Sequence, residues 1–243
     1  MSIIRPFKGI RPRADLASAI AALPYDVYNS EEAREIVAAE PKSFLQIDRA
    51  ETLLPKGTNP YCEAVYKTAS ETLNRMIDEG SFLQDKEPCY YLYALTMNGR
   101  TQTGLVGCAS IDDYCNNVIL KHENTLEAKE QDRIRHIDAC SAQTGPIFLA
   151  YRADKKLGEI IKNVRLTPEV YDFTSDDGIR HEVWRIDKMS TIVDISKIFE
   201  AIPHLYIADG HHRAASAVKV GLKRRAEDLH FSETKEYNYF LSV

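Results

Sequence analysis

Residues 209–213 read Asp-Gly-His-His-Arg, a set of residue types that can bind an anion. A short apolar run at residues 204–208 precedes them, and alanines at helix-compatible positions follow. This pattern predicts a strand, a glycine turn and the first turn of a helix. A helix start offers N–H groups without intrahelical acceptors and a partial positive charge, and both favour a phosphate. The glycine lets a ligand approach the backbone closely.

Three basic residues, His211, His212 and Arg213, fall in the first turn of that predicted helix. Cations at this end destabilise the helix because they lie near the positive end of its dipole. A bound phosphate would make the same cations stabilising. The alternative is that Asp209 and Gly210 form only a turn and that the two histidines are surface residues. The residue pattern leaves both interpretations open.

A second candidate segment lies upstream, where residues 121–124 read Lys-His-Glu-Asn. The helix predicted over residues 125–140 follows directly. Its pattern is mostly polar, so the helix is either solvated or lines a polar cleft. A solvated helix would carry internal pairs such as Glu130 with Arg133.

The motif at residues 206–213, Tyr-Ile-Ala-Asp-Gly-His-His-Arg, resembles the Asp-Gly-His-His-Arg motif of free-serine kinases in the ParB/sulfiredoxin-like superfamily. The resemblance implies that Asp209 assists phosphoryl transfer or binds magnesium, and that the cofactor is ATP or ADP with magnesium. It also implies a set of residues that hold the nucleotide phosphates, namely Gly210, His211, His212 and Arg213.

The segment at residues 121–124 resembles the histidine-glutamate segment that supplies the catalytic glutamate of those kinases. By this resemblance Glu123 is the candidate general base, and His122 is a candidate substrate-binding residue. Phosphoryl transfer depends mainly on positioning and charge neutralisation, together with a carboxylate that accepts the proton of the attacking hydroxyl. The implied reaction is phosphoryl transfer to a hydroxyl of a small, serine-like metabolite.

Across most of its length the chain also resembles the domain of unknown function 1015 family. The segments that carry this resemblance are residues 5–9 (Arg-Pro-Phe-Lys-Gly), 23–27 (Leu-Pro-Tyr-Asp-Val), 121–125 (Lys-His-Glu-Asn-Thr), 132–133 (Asp-Arg) and 208–213 (Ala-Asp-Gly-His-His-Arg). Members of that family generally continue further at the C-terminus. The last residues here are typical of the middle of a strand, which fits either a truncated chain or a short member.

Apolar spacing and turn residues predict the elements that must position these segments. Helices are predicted at residues 14–22, 31–39, 61–79, 125–140, 155–163, 190–201 and 211–225, and strands at residues 43–48, 89–95, 101–111, 147–151, 170–173, 179–187 and 204–208. Asn98-Gly99 between two of these strands predicts a β-hairpin. Gly80 is expected to cap the third helix.

We therefore predict an α+β fold with mixed sheets and flanking helices. Residues 1–105 are assigned to an N-terminal α/β domain of unknown role. Residues 106–243 are assigned to a ParB/sulfiredoxin-like nucleotide-binding module.

Composition limits the classes of function. The 243 residues are 44% hydrophobic, enough for one large core or two modest ones. A net charge of −5 gives no global positive field to attract nucleic acid or anionic membrane. With no apolar run of membrane-spanning length and no secretory signal, we expect a cytoplasmic protein. The five cysteines lack metal-binding spacing and are expected to be reduced packing thiols.

Three interpretations of function follow. The leading one is a nucleotide-binding phosphotransferase that acts on a small-molecule substrate. The alternative is a nucleotide-dependent, ParB-like regulatory or binding module without phosphotransfer, although acidic charge and the lack of a helix-turn-helix pattern argue against DNA. The third is metal-assisted hydrolysis, which has the ligand types but no recognised spacing, so no metal ligand is assigned. Its candidate residues are His122, His211, His212 and Asp209.

Overall fold

The computed structural model describes the backbone of residues 1–243 and every side chain except that of residue 128. The fold is α+β, with mixed sheets and flanking helices, as the sequence predicts. The helices are α1 (Ala17–Ile20), α2 (Ser30–Ala39), α3 (Leu45–Asp48), α4 (Glu63–Asp78), α5 (Ile111–Cys115), α6 (Glu127–Cys140), α7 (Lys155–Val164), α8 (Met189–Ala201) and α9 (His211–Glu227). The strands are β1 (Ile4–Arg5), β2 (Ile10–Pro12), β3 (Phe82–Gln84), β4 (Tyr90–Met97), β5 (Arg100–Ser110), β6 (Ile119–Leu120), β7 (Phe148–Ala150), β8 (Tyr171–Thr174), β9 (Arg180–Ile186), β10 (Leu205–Asp209) and β11 (Tyr239–Ser242).

The largest sheet has the strand order β1-β5-β4-β9-β8, and β11 also pairs with β5. Strands β4 and β5 form the hairpin predicted from Asn98-Gly99, with Met97 opposite Arg100. Both turn residues have positive φ, 51° for Asn98 and 76° for Gly99. A two-residue turn of this kind matches the twist of the strands it joins, which is why the dipeptide predicts the hairpin so well.

A three-stranded sheet, ordered β6-β10-β7, contains the strand that leads into α9. Strand β10 runs parallel to β6 and antiparallel to β7. Beside β7, the amides of Ile147 and Leu149 donate to the carbonyl oxygens of Leu241 and Val243 at 2.9 Å. Backbone hydrogen bonds thus join the small sheet to the largest one through β11. Strand β10 is paired with β6 at its start and with β7 as far as Asp209.

Two apolar clusters support these sheets. The larger includes the fully buried Tyr90 and Phe240 of the largest sheet and residues of α8 and α9. The smaller includes Ile47 and Met76 and lies around α4. Helix α6 packs against both α9 and α4, so it connects the two clusters.

Strand β5 and the larger cluster both include residues on either side of position 105. The division into a domain over residues 1–105 and a module over residues 106–243 stays a prediction.

The strand predicted at residues 43–48 is wrong, because this segment contains the helix α3. Leu45, Gln46 and Ile47 are all buried, whereas a strand on one face of a core would bury alternate residues. The Gln46 amide oxygen accepts a hydrogen bond from Arg75 of α4 at 3.0 Å. A short apolar run fits either a helix or a strand, and here packing against α4 decides.

The other helices predicted from spacing are present, although residues 14–22 form a 3₁₀ turn at Ala14–Leu16 followed by α1, and α2 and α4 show local capping. Asn29 and Glu32 form a reciprocal capping box at the start of α2. After α4, Gly80 has φ +73° and its amide donates to Ile77, while Ser81 donates to Met76. This is a Schellman motif, as the position of Gly80 predicts.

All five cysteines are free thiols. Cys140 lies in the smaller apolar cluster, and the buried Cys89 has its Sγ 3.9 Å from Asp85 Oδ2. The prediction of packing thiols fits the buried Cys89 and Cys140, whereas Cys115 is exposed. Within the described residues, every helix is too short or too polar to cross a bilayer.

Candidate functional site

The predicted strand, glycine turn and helix start are present at the junction of β10 and α9. Gly210 is the N-cap residue of α9 with φ +91°, and no described side chain bonds to cap this end. A Cβ at Gly210 would lie 3.2 Å from the Arg213 guanidinium, tighter than ordinary contact. The buried Ala214 and Ala217 let α9 pack closely on its neighbours. Both conformation and space therefore favour glycine here.

His211, the first residue of α9, lies beside the upstream segment at residues 121–124. Its side chain is 4% exposed, and its Nδ1 is 3.5 Å from Glu123 Oε2. The rings of His122 and His211 meet edge to face with centroids 4.4 Å apart. Two segments separated by 88 positions in the chain thus converge at the helix start.

The environment of His211 favours its neutral form. Burial lowers the pKa of the ring, and the neighbouring His122 lowers it further. The carboxylates of Glu123 and Asp209 act in the opposite direction and are outweighed. The Nε2 atom is buried and has no hydrogen-bond partner among the described residues. His211 is therefore a neutral, under-bonded ring in contact with a pocket.

His212 contacts the backbone rather than the pocket. Its Nε2 accepts a hydrogen bond of 3.0 Å from the amide of Leu126, the N-cap residue of α6. This contact ties the start of α9 to the start of α6. In this arrangement His212 positions the two helices, and its predicted role in holding phosphate stays a prediction.

Arg213 points to the opposite side of Gly210 from His211. Its Nη2 donates to Asp209 Oδ2 at 2.6 Å, and its Nη1 donates to the Pro146 carbonyl at 2.5 Å. The Arg213 side chain is 22% exposed, whereas that of Asp209 is 71% exposed. Arg213 is thus fixed in place, while one edge of the Asp209 carboxylate faces solvent.

Two pockets flank the Gly210 turn. One, of about 460 Å³, is lined by Tyr114, Lys121, His122, Glu123, Asn124, Thr125 and His211. The other, of about 400 Å³, has polar lining residues that include Tyr25, Asp48, Arg133, His136, Thr144, Asp209 and Arg213. The structure therefore brings together three of the predicted site residues, His122, Glu123 and His211, in the first pocket. Asp209 and Arg213 line the second pocket.

Helix α6 lines the second pocket and is not simply solvated. Arg133 and His136 are buried, and the Arg133 guanidinium lies 3.9 Å from the centre of the Tyr25 ring. Arg133 pairs with Asp132 at 2.8 Å rather than with Glu130. Of the two interpretations of this polar helix, the structure therefore favours the cleft.

Sequence reasoning did not single out Arg133 and His136 as lining residues of that cleft. The signal that could have found them was present, because Glu130, Arg133 and His136 recur at intervals of three along α6. Polar residues at helical spacing on a helix with few apolar residues indicate a buried polar face.

The first pocket also has a donor set that could hold a cation. Ligand atoms of His122, Glu123 and His211 all lie within 4.8 Å of one another. Of the other residues considered for metal-assisted hydrolysis, His212 bonds to Leu126 and Asp209 bonds to Arg213. A carboxylate beside a helix start could equally accept a proton from a substrate bound there.

Comparison with known proteins identifies a family. Searches of curated proteins and of solved structures found no match. One family model, described as protein of unknown function (DUF1015), matches residues 4–243, nearly the whole chain. The chain therefore belongs to the DUF1015 family.

Proposed function

We propose that the protein is a nucleotide-dependent phosphotransferase that transfers a terminal phosphoryl group to the hydroxyl of a small metabolite. The observation that carries this proposal is the position of the Glu123 carboxylate, 3.5 Å from the ring of His211 in the first turn of α9. A candidate proton acceptor thus lies beside a candidate phosphate site, on one pocket of about 460 Å³.

Backbone N–H groups at the start of α9 form the proposed phosphate site. Gly210, with φ +91°, follows β10 and is the N-cap residue of a helix of 17 residues. The first N–H groups of such a helix have no intrahelical acceptors, and the dipole adds partial positive charge. No side chain at position 210 would block an approaching phosphate. The amides of residues 211–213 are the proposed donors, with Arg213 adding charge from the adjoining cleft.

The Glu123 carboxylate is accessible enough to act as the proton acceptor. The Glu123 side chain is 59% exposed on a loop at the pocket, so a substrate hydroxyl can approach it. In the proposed step Glu123 takes the hydroxyl proton while the hydroxyl oxygen bonds to the terminal phosphorus. The bond from phosphorus to the bridging oxygen breaks, and the shortened nucleotide leaves. His122, exposed at the same pocket, is the proposed contact for the substrate.

Asp209 is the residue that best fits magnesium. Oxygen ligands suit this ion, and the Asp209 carboxylate is 71% exposed with one oxygen on Arg213. Bound with the nucleotide, magnesium would neutralise phosphate charge during transfer. The contribution of the chain itself is to hold Asp209 and Arg213 in fixed relation at the end of β10.

The test is phosphoryl transfer by the full chain with ATP or ADP, magnesium and a panel of hydroxyl metabolites, followed by ³¹P NMR. A new phosphomonoester signal is expected. Glu123→Gln should reduce the transfer rate by about a hundredfold or more while nucleotide affinity stays within about twofold. Glu127→Gln, a matched change at an exposed position in the first turn of α6, should alter neither.

Arg213→Ala tests nucleotide binding rather than the transfer step. Removing a charged donor near the phosphates should weaken nucleotide binding by about tenfold in calorimetry. If the chain binds no nucleotide with magnesium, the proposal is wrong.

A nucleotide-dependent, ParB-like binding module is the second candidate. The start of α9 is hydrogen-bonded to Leu126 through His212 and to Pro146 through Arg213. A ligand bound there would therefore shift two separate segments of the chain. This role predicts nucleotide binding without transfer. Glu123→Gln would then leave nucleotide affinity unchanged, with no transfer activity to lose.

A further inference from the structure

Two imidazoles and one carboxylate at the start of α9 form the donor set of a transition-metal site. Ligand atoms of His122, Glu123 and His211 lie within 4.8 Å of one another, and His211 Nδ1 is 3.5 Å from Glu123 Oε2. Ligands on one tetrahedral Zn²⁺ are roughly 3.4 Å apart, because each lies about 2.0–2.1 Å from the ion. One ligand pair is therefore already at the spacing that a shared ion requires.

His211 is a buried ring that lacks a good hydrogen bond. Its side chain is 4% exposed, and its Nε2 has no partner among the described residues. Its Nδ1 is 3.5 Å from Glu123, longer than the roughly 2.9 Å of a normal N–H···O hydrogen bond. An ion bound at Nδ1 would replace this weak contact and offset part of the cost of burying the ring, although it would not satisfy Nε2.

The other two side chains leave the site open to an ion. His122 and Glu123 are exposed, and the adjoining pocket has a volume of about 460 Å³. Three protein ligands leave a fourth position for water or a substrate oxygen. This is the arrangement of a catalytic rather than a structural zinc site.

We propose that His122, Glu123 and His211 bind a divalent transition-metal ion such as Zn²⁺ through two imidazole nitrogens and one carboxylate oxygen. Imidazole ligands suit zinc, whereas magnesium takes oxygen ligands and keeps several waters. This site is thus chemically distinct from the magnesium that a nucleotide would bring. It does not depend on phosphoryl transfer. Because the ion occupies the Glu123 carboxylate, metal occupancy and proton acceptance by Glu123 exclude each other.

The test uses the full chain, free of any affinity tag and of nucleotide. Calorimetric titration with Zn²⁺ should show one ion per chain, and Co²⁺ should give the visible absorption of a site with low coordination number. His122→Ala and Glu123→Gln change exposed residues and leave the core intact. Each should weaken Zn²⁺ binding by more than about tenfold, since loss of even an outer-shell partner costs 10–100-fold.

Two control variants separate this site from other metal-binding groups. His230→Ala removes an exposed histidine beyond the far end of α9, and Cys115→Ser removes the exposed thiol. Both should keep the affinity of the wild-type chain. The inference is overturned if the wild-type chain binds no Zn²⁺, if both ligand variants bind as tightly as wild type, or if only Cys115→Ser loses binding.

The outcomes also separate this inference from the proposed function. Zinc binding that depends on His122 and Glu123, in a chain without transfer activity, supports the metal site and contradicts the phosphotransferase. Transfer activity in a chain that binds no zinc supports the phosphotransferase and contradicts the metal site.

Discussion

Single residues decide which side of the turn each candidate group faces. His211 and Arg213 are two positions apart, yet they line different pockets on either side of Gly210. Successive residues on a helix are about 100° apart, so a shift of one residue in the helix start redirects every side chain. The sequence predicts the helix and the glycine turn, but it cannot predict which basic residue shares a pocket with Glu123.

Gly210→Ala tests the conformational requirement at the turn. With φ +91° and a new Cβ 3.2 Å from Arg213, the variant should lose about 1–2 kcal/mol of unfolding free energy in urea. Nucleotide affinity should fall as well, because the added methyl group lies where the phosphate would approach.

Gly158→Ala is the matched control for this change. Gly158 lies within α7, and a Cβ there meets nothing within 4 Å. The variant should gain about 0.5–1 kcal/mol of unfolding free energy, because alanine favours a helix more than glycine does. Equal effects at the two glycines would contradict the account of the turn.

Among the helices and strands, the packing of α6 on α9 positions the candidate site, because both helices line the pocket of Arg213 and their first residues are joined by His212 and Leu126. Sequence periodicity predicts both helices, but their contact is long-range and follows from tertiary packing. Glu130 is buried on α6 and accepts hydrogen bonds from Lys219 of α9 and from Thr125. Burial alone would raise the pKa of Glu130, and these donors lower it on balance. The pair therefore contributes stability above the ordinary carboxyl pKa, and the contribution is lost on acidification.

Lys219→Met should leave the buried Glu130 carboxylate short of its cationic partner. We expect a loss of about 1–3 kcal/mol of unfolding free energy at pH 7. Adding Glu130→Gln should recover part of that loss in a double-mutant cycle. Lys67→Met removes a cation from an exposed pair on α4, and its effect should stay below about 0.5 kcal/mol. Additive effects of the Lys219 and Glu130 changes would contradict the pairing.

At the scale of the whole molecule, a buried carboxylate joins distant segments of the chain. Asp85, which follows β3, accepts two hydrogen bonds from Arg11 at 2.9 Å and one from Arg185 of β9 at 3.0 Å. Tyr91 of β4 donates to the same carboxylate. Sequence pattern cannot reveal such a network, since its members are separated by up to 174 positions.

Acid should weaken the Asp85 network. Burial opposes ionisation, but the hydrogen bonds from Arg11 and Tyr91 outweigh it and lower the Asp85 pKa to about 2. A depressed carboxyl pKa stabilises the folded state above about pH 4, and this stability is lost as the pH falls toward 2. The contribution at pH 7 is roughly 2 kcal/mol.

Asp85→Asn measures that contribution. The unfolding free energies of wild type and variant should differ at pH 7 by about 2 kcal/mol or more, and the gap should narrow between pH 4 and pH 2. Asp176→Asn, at an exposed turn position, should stay within about 0.5 kcal/mol of wild type. A gap for Asp85→Asn that is constant with pH would contradict the network's role.

A crystal structure of the chain with ADP and magnesium would show whether the start of α9 holds nucleotide phosphates next to Glu123, as proposed. We expect phosphate oxygens within hydrogen-bond distance of the amides of residues 211–213. We also expect the terminal phosphate to face the pocket of Glu123 and His122. A nucleotide bound elsewhere on the molecule, or no bound nucleotide at saturating concentration, would contradict the claim.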